Sequence, residues 1–133
     1  MKKYLLDTNI CIYLLKGQFN IHRKIEEVGI NNCFISEITI AELKYGVEKS
    51  LQKERNRETL EKFQMQFSII PIISSLDIFA QEKARLKVKG AMLDDFDLLI
   101  GASAIANNLI LATRNVNDFN RLEGILIEDW TDK

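Results

Sequence analysis

The chain has few of the side chains that bind soft metals. Its 133 residues include one histidine, His22, and two cysteines, Cys11 and Cys33. The cysteines fit no metal-ligand or redox spacing and sit in apolar surroundings, so both are expected as buried free thiols in a reducing cytoplasm. His22 lies in the polar stretch NIHRKIEE and is expected on the surface. A zinc site built on imidazole or thiolate is therefore excluded. Charge of one sign is lacking too: 18 basic residues face 19 acidic ones, for a formal net charge of -1. This excludes holding nucleic acid by bulk electrostatics, but leaves room for local patches. No apolar run reaches transmembrane length, and the opening MKKYLLDTN is broken by Asp7 and Asn9, unlike a secretory signal. A cytoplasmic protein with no membrane partner is expected. With 47% hydrophobic and 28% charged residues, no internal repeat and no low-complexity linker, residues 1–133 read as a single globular domain.

What is present alternates. YLL (4–6), CFI (33–35), IIPII (69–73), LILAT (109–113) and ILIED (125–129) read as short buried strands, with Pro71 suggesting an edge position for the third. Between them, TNICIYLLKG stops at Gly17 and IHRKIEEVG stops at Gly29. Ser36 is placed to cap the helix carrying AELKYGVEKS, and residues 51–67 form a long charged helix. Ser74 with Asp77 resembles a capping signal for a helix running to about Lys89. Strands alternating with helices predict an α/β fold: a parallel sheet of about 4–5 strands flanked by helices on both faces. In such sheets the site lies outside the carboxyl ends of the strands.

One helix breaks its own pattern. Residues 93–106, LDDFDLLIGASAIA, place Asp94, Asp95 and Asp97 before an almost wholly apolar run. Helix N-termini favour acids, which accounts for Asp94 or Asp95. Asp97 differs, because the positions 3, 4 and 7 residues on are Ile100, Gly101 and Ala104, an apolar face. A carboxylate there is desolvated and needs a positive partner, either a distant base or a metal.

Other acids fall where that rule puts a site. Asp7 ends the first strand, Glu42 lies in the helix after the second, and Asn115 and Asp118 follow the fourth in TRNVNDF. Each has a plainer reading: Asp7 as a helix cap, Glu42 paired with Lys44 or Lys49, Asn115 and Asp118 as turn residues. Together they converge without matching bases, and a hard divalent cation resolves the repulsion. Oxygen-only ligands indicate Mg²⁺, with Mn²⁺ able to substitute, and such a site suits phosphate chemistry. Thr8, Asn9, Ser36 and Thr113 lie beside it as auxiliary contacts.

The blocks LLDTNICIYLL (5–15), ISEITIAELKYGVEKS (35–50), FDLLIGASAIA (96–106) and LATRNVNDFNRLEGILIEDW (111–130) give the chain a resemblance to the PIN-domain ribonucleases. Within them it resembles the VapC-type toxins of toxin–antitoxin pairs. The resemblance implies metal ligands and catalytic acids at Asp7, Glu42 and Asp97, with metal held by Asp7 and Asp97. The family's fourth acidic position falls on Asn115 or Asp118, of which Asp118 has the acid; Asp94 and Asp95 are auxiliary. It further implies a Mg²⁺-dependent endoribonuclease, a homodimer, and a VapB-type antitoxin that blocks the acidic pocket and alone contacts operator DNA. tRNA is the implied substrate, and the initiator tRNA anticodon loop the narrower one.

Arg114, Lys83 and Lys87 are candidate RNA-binding residues, against the reading of 83–89 as an ordinary solvated face. Apolar residues such as Ile12, Tyr13, Leu43 and Tyr45 suit an antitoxin groove, a dimer face or the core. A phospho-accepting receiver domain is excluded, because IIPIISS carries no acid where its phosphorylated aspartate would stand. A catalytically inactive domain and a phosphatase or DNA nuclease are the other readings.

Overall fold

The computed structural model describes residues 1–131. Five short strands, β1 (Tyr4–Leu6), β2 (Cys33–Ser36), β3 (Ser68–Ile70), β4 (Ile110–Ala112) and β5 (Leu126–Glu128), form one sheet in the order β3-β2-β1-β4-β5. Every pair is parallel; Tyr4 stands between Cys33 and Ile110, and Leu6 between Ile35 and Ala112. The chain winds outward from β1 in both directions, so the topological switch lies between β1 and β4.

The intervening helices are α1 (Thr8–Lys16), α2 (Ile21–Val28), α3 (Glu37–Glu48), α4 (Lys53–Gln64), α5 (Leu76–Lys89), α6 (Asp95–Ala106) and the single turn α7 (Val116–Phe119). Because strand side chains alternate, one sheet feeds two cores. Tyr4 and Leu6 pack with Ile10, Ile25, Leu43 and Phe63, from α1 to α4. Leu5 and Leu111 pack on the opposite face with Leu86, Leu98, Ile100 and Phe119, from α5 to α7. Helix α3 reaches both cores, through Ile38 on one side and Leu43 and Val47 on the other. It therefore closes the carboxyl rim of the sheet.

Local signals explain most boundaries. Gly17 ends α1 in the left-handed region at φ 69°, its N–H directed back to the Leu14 carbonyl. Ser36 accepts the Ile38 N–H at 3.0 Å and starts α3. Gly101 has another purpose: a Cβ there would overlap Leu122 Cδ1 and crowd Phe119 at 3.4 Å. A side chain at that position would push α7 away from α6.

Three expectations are corrected. The third strand ends at Ile70 rather than Ile73, since Pro71 has no N–H to donate; β3 is an edge strand, as Pro71 suggested. The charged helix spans Lys53–Gln64, shorter at both ends than 51–67. Ser74 does not cap α5. A 3₁₀ turn, Ile73–Ser75, leads into it, and the Ser74 hydroxyl instead accepts from Asn107 Nδ2 at 3.3 Å. Cys11 and Cys33 are buried free thiols, and His22 is exposed. No described helix is long and apolar enough to cross a membrane.

Candidate active site

Asp7 follows the last residue of β1, beside the switch point. Its backbone N–H bonds the Ala112 carbonyl at 3.1 Å, and its side chain is only 5% exposed. Both carboxylate oxygens have partners: Oδ1 accepts the Ile10 N–H at 2.9 Å, and Oδ2 accepts the Thr113 hydroxyl. The first bond makes Asp7 the N-cap of α1, so the plain reading holds, but it leaves a buried charge to be explained. Burial raises the Asp7 carboxyl above its ordinary range, against the Thr113 and Ile10 bonds; the nearby charge of Glu42 raises it further.

Glu42 points from the second turn of α3 toward α1. Its Oε1 accepts the Thr8 hydroxyl at 2.6 Å, and Thr8 Oγ1 also lies 3.0 Å from Thr39 Oγ1. It pairs with neither Lys44 nor Lys49. Asp97 sits in the first turn of α6, partly buried, with its carboxyl pushed up to about 6. Burial is the largest cause, followed by the negative charges of Asp94, Glu42, Asp7 and Asp118. Asp94 is the N-cap of α6 and accepts the Phe96 N–H at 3.1 Å.

Asp7, Thr8, Asn9, Glu42, Asp94 and Asp97 thus line one groove of about 1010 Å³. Much of its remaining wall is apolar, with Ile12, Leu15, Leu43, Tyr45, Val47 and Leu60, and Lys16, Lys49, Asn56 and Thr59 also line it. Of the apolar residues singled out in the sequence, Leu43 is buried and Ile12 and Tyr13 are half-buried, whereas Tyr45 is 66% exposed.

Asp118 joins the cluster through a relay. The Asn115 backbone N–H donates to Thr113 Oγ1 at 2.9 Å, while Asn115 Nδ2 donates to Asp118 Oδ2 at 2.9 Å. The hydroxyl that bonds Asp7 is therefore tied to the residue that holds Asp118. Arg121, which sequence reasoning did not single out, pairs with Asp118 Oδ1 at 3.2 Å and donates to the Met92 carbonyl at 3.0 Å. That ties α7 to the loop before α6. Its spacing three residues after Asp118 was the available signal.

Other candidates lie outside the groove lining. Ser36 is fully buried and spent on its helix cap. Asp95 pairs with Lys83 at 2.9 Å on an exposed face, and Lys83 also lies over the Phe79 ring. Lys87 is exposed on α5, and Arg114 is exposed with its guanidinium over the Phe19 ring.

Among the described residues, Asp7, Glu42, Asp94 and Asp97 meet no Lys or Arg within ion-pair distance. Nor are any three His, Cys, Asp or Glu side chains gathered closely enough to enclose an ion by themselves. This donor set fits Mg²⁺, which keeps several waters and takes only one or two carboxylates from the protein. It does not fit a closed, fully protein-ligated site.

The acids thus stand at the carboxyl ends of an all-parallel sheet, at the switch point where such α/β folds place their ligand sites. The PIN domain model matches residues 4–125. A Rickettsia felis protein, ribonuclease VapC2, is 38% identical over 130 residues, covering 96% of this chain and 97% of its own. The Salmonella typhimurium tRNA(fMet)-specific endonuclease VapC is 36% identical, covering 98% and 99%. Among solved structures, DNA-bound VapBC from Salmonella typhimurium superposes with a TM-score of 0.90 at 35% identity, covering 98% of this chain and 99% of that one. VapBC2 from Rickettsia felis bound to a promoter DNA fragment gives 0.89 at 36%, covering 96% and 98%. The chain belongs to the PIN-domain family, among the VapC-type ribonucleases of toxin–antitoxin systems.

Proposed function

We propose that this ribonuclease is Mg²⁺-dependent, cuts tRNA, and inhibits translation by doing so. The observation that carries the metal dependence is the shared groove of Asp97, Asp7, Glu42 and Asp94, none of which has a base within ion-pair distance among the described residues, with the Asp97 carboxyl raised to about 6 by burial and its acidic neighbours. Asp7 and Asp97 would hold the ion. Once bound, Mg²⁺, or Mn²⁺ in its place, supplies charge neutralisation and Lewis acidity at the scissile phosphate. The protein's own groups do the positioning. Two hydrogen bonds fix the Asp7 carboxylate, so its charge is aimed without reorganisation. Thr8 occupies Glu42 Oε1, leaving Oε2 to accept a proton from an attacking water. Asn115 and Arg121 hold Asp118 as the fourth acid, so Asn115 orients it rather than replacing it.

The tRNA reading rests on the Salmonella relative, whose name specifies tRNA(fMet). Initiator tRNA is therefore the narrower substrate. A VapB-type antitoxin is the partner: the groove joins acids to an apolar wall, matching a segment with apolar side chains and one base. We assign operator DNA contact to that partner, because a chain of net charge -1 offers DNA little attraction. A homodimer and a cytoplasmic location complete the proposal.

The test is incubation of antitoxin-free protein and its Asp97→Asn variant with bulk tRNA, with Mg²⁺ and with EDTA. Discrete cuts that need both Asp97 and the metal are expected. Uncut tRNA from folded, metal-loaded protein would overturn the tRNA reading and favour an inactive domain or another nucleic acid.

A further inference from the structure

Arg114 leaves β4 directly after Thr113, yet its guanidinium is not directed into the acid groove. It lies 5.1 Å from the centroid of Phe19, which itself meets Tyr13 edge-on at 4.8 Å. Tyr13 belongs to α1, and Phe19 to the loop after it. The three side chains form a stack with the cation outermost. Nothing in the core requires it: Phe19 is 44% exposed and Arg114 is exposed. The backbone that carries Phe19 is also unusual. Phe19 and Asn20 both adopt left-handed conformations, at φ 57° and 55°, although neither is glycine. A bulky aromatic residue rarely accepts that region, and such outliers cluster at functional sites.

The chemistry of the outer member is specific. Among the described residues, no carboxylate lies within ion-pair distance of Arg114, while Arg57 and Arg85 each have two and Arg121 has one; Arg23 and Arg55 also lack one, but neither lies over a ring. An arginine stacked on a ring keeps its in-plane N–H donors free, and their fork matches the oxygens of a phosphate. Lys83, by contrast, is already engaged by Asp95.

We infer that the Tyr13–Phe19–Arg114 stack is a phosphate clamp for the RNA strand, with Phe19 the positioning residue that presents Arg114. The inference rests on the nuclease reading above and deepens it. Arg114 directly follows Thr113, whose hydroxyl bonds Asp7, and Phe19 lies three residues past the end of α1, the helix that Asp7 caps. A phosphate taken by Arg114 therefore lies beside the acid groove and not inside it. The clamp supplies attraction that the acid groove lacks, and sets which part of the strand reaches Asp97.

Binding is measured with bulk tRNA in an Asp97→Asn background across a range of salt, and cleavage kinetics in the otherwise native protein. Arg114→Ala is expected to weaken binding on the order of tenfold at low salt and to lower the salt slope by about one. KM should rise while kcat stays within about twofold, because a flanking contact is made equally before and during reaction. Phe19→Ala should reproduce part of that loss and Phe19→Tyr should not, since the tyrosine keeps the ring. Combining Phe19→Ala with Arg114→Ala should bind no more weakly than Arg114→Ala alone. Unchanged binding and slope in Arg114→Ala would overturn the clamp, as would losses at Phe19 and Arg114 that add in full. Failure of the native protein to cut tRNA would overturn the tRNA reading alone, and the binding arm, run in the Asp97→Asn background, still decides the clamp.

Discussion

Two carboxylates in this molecule have nearly the same low exposure and are treated oppositely. Asp7 is 5% exposed and Glu82 is 8% exposed. Glu82 receives a fork from Arg85, Nε to Oε2 at 2.8 Å and Nη2 to Oε1 at 2.7 Å, plus the Glu123 N–H at 2.8 Å. The Arg85 bonds hold its carboxyl below the ordinary range. Asp7 has hydrogen bonds but no base, and burial holds it above that range in the company of Glu42 and Asp97. A structural acid arrives with its cation in the same helix; an acid kept for chemistry leaves that position open. The difference teaches where to look: low exposure marks both residues, and the deeper setting of Asp7 together with its missing counter-charge separates them.

Exchanging each region's charge for an amide tests that contrast most severely. Asp97→Asn should lower cleavage of tRNA by about a thousandfold or more, as losses at reacting groups do. Its melting temperature should not fall, because one of several mutually repelling charges has gone. Glu82→Gln should cut at the native rate yet lose about 1–3 kcal/mol of stability, since the amide keeps one acceptor oxygen but loses the charge and sets an NH2 group against one of the three N–H donors that met the carboxylate. A stable, fully active Asp97→Asn protein would erase the distinction between the regions.

A cation should sharpen it. If the open position in the groove is a metal site, millimolar Mg²⁺ or Mn²⁺ should raise the melting temperature by a few degrees. The rise should be absent in Asp97→Asn and intact in Glu82→Gln. An equal rise in all three proteins would mean that the ion binds elsewhere.

The two regions also differ in how much of each the sequence showed. Asp7, Glu42 and Asp97 were legible because the strand ends and the apolar face at 97, 100, 101 and 104 fix where those side chains go. Ser36 and Gly17 were legible because capping is local. The expected strand at 69–73 failed at Pro71, whose missing N–H stops the ladder. The cap assigned to Ser74 failed because a 3₁₀ turn carries the chain into α5. What stayed hidden depends on chain segments far apart in sequence. Thr113 meets Asp7 across 106 positions, and Asp95 engages Lys83 across 12. Arg121 was overlooked because its value lies in bridging Asp118 to Met92, across two loops that only the fold brings together. Phe19 gave no signal, since a left-handed phenylalanine is a property of the folded backbone.

The smallest effect is also the one whose sign separates the regions. In EDTA, the Asp97 carboxyl is held up to about 6, whereas it titrates near 3.9 in an unfolded chain. Between those values the folded protein binds the extra proton, so this group's contribution falls as pH rises through that window. The stability of Asp97→Asn relative to the native protein should therefore grow from about pH 4 to 6 and then level off. With half of the carboxyl's surroundings solvated, about 1–2 kcal/mol is expected. Glu82 runs the other way. Its folded value is depressed, so its contribution is fully present above the ordinary glutamate range and is lost as pH falls through the depressed value. The deficit of Glu82→Gln should accordingly be largest near neutrality and shrink in acid. Urea unfolding of the three proteins between pH 3 and 7 measures both trends. If Asp97→Asn and the native protein kept a constant gap across that range, the Asp97 carboxyl would not be raised on folding at all, either by burial or by its acidic neighbours.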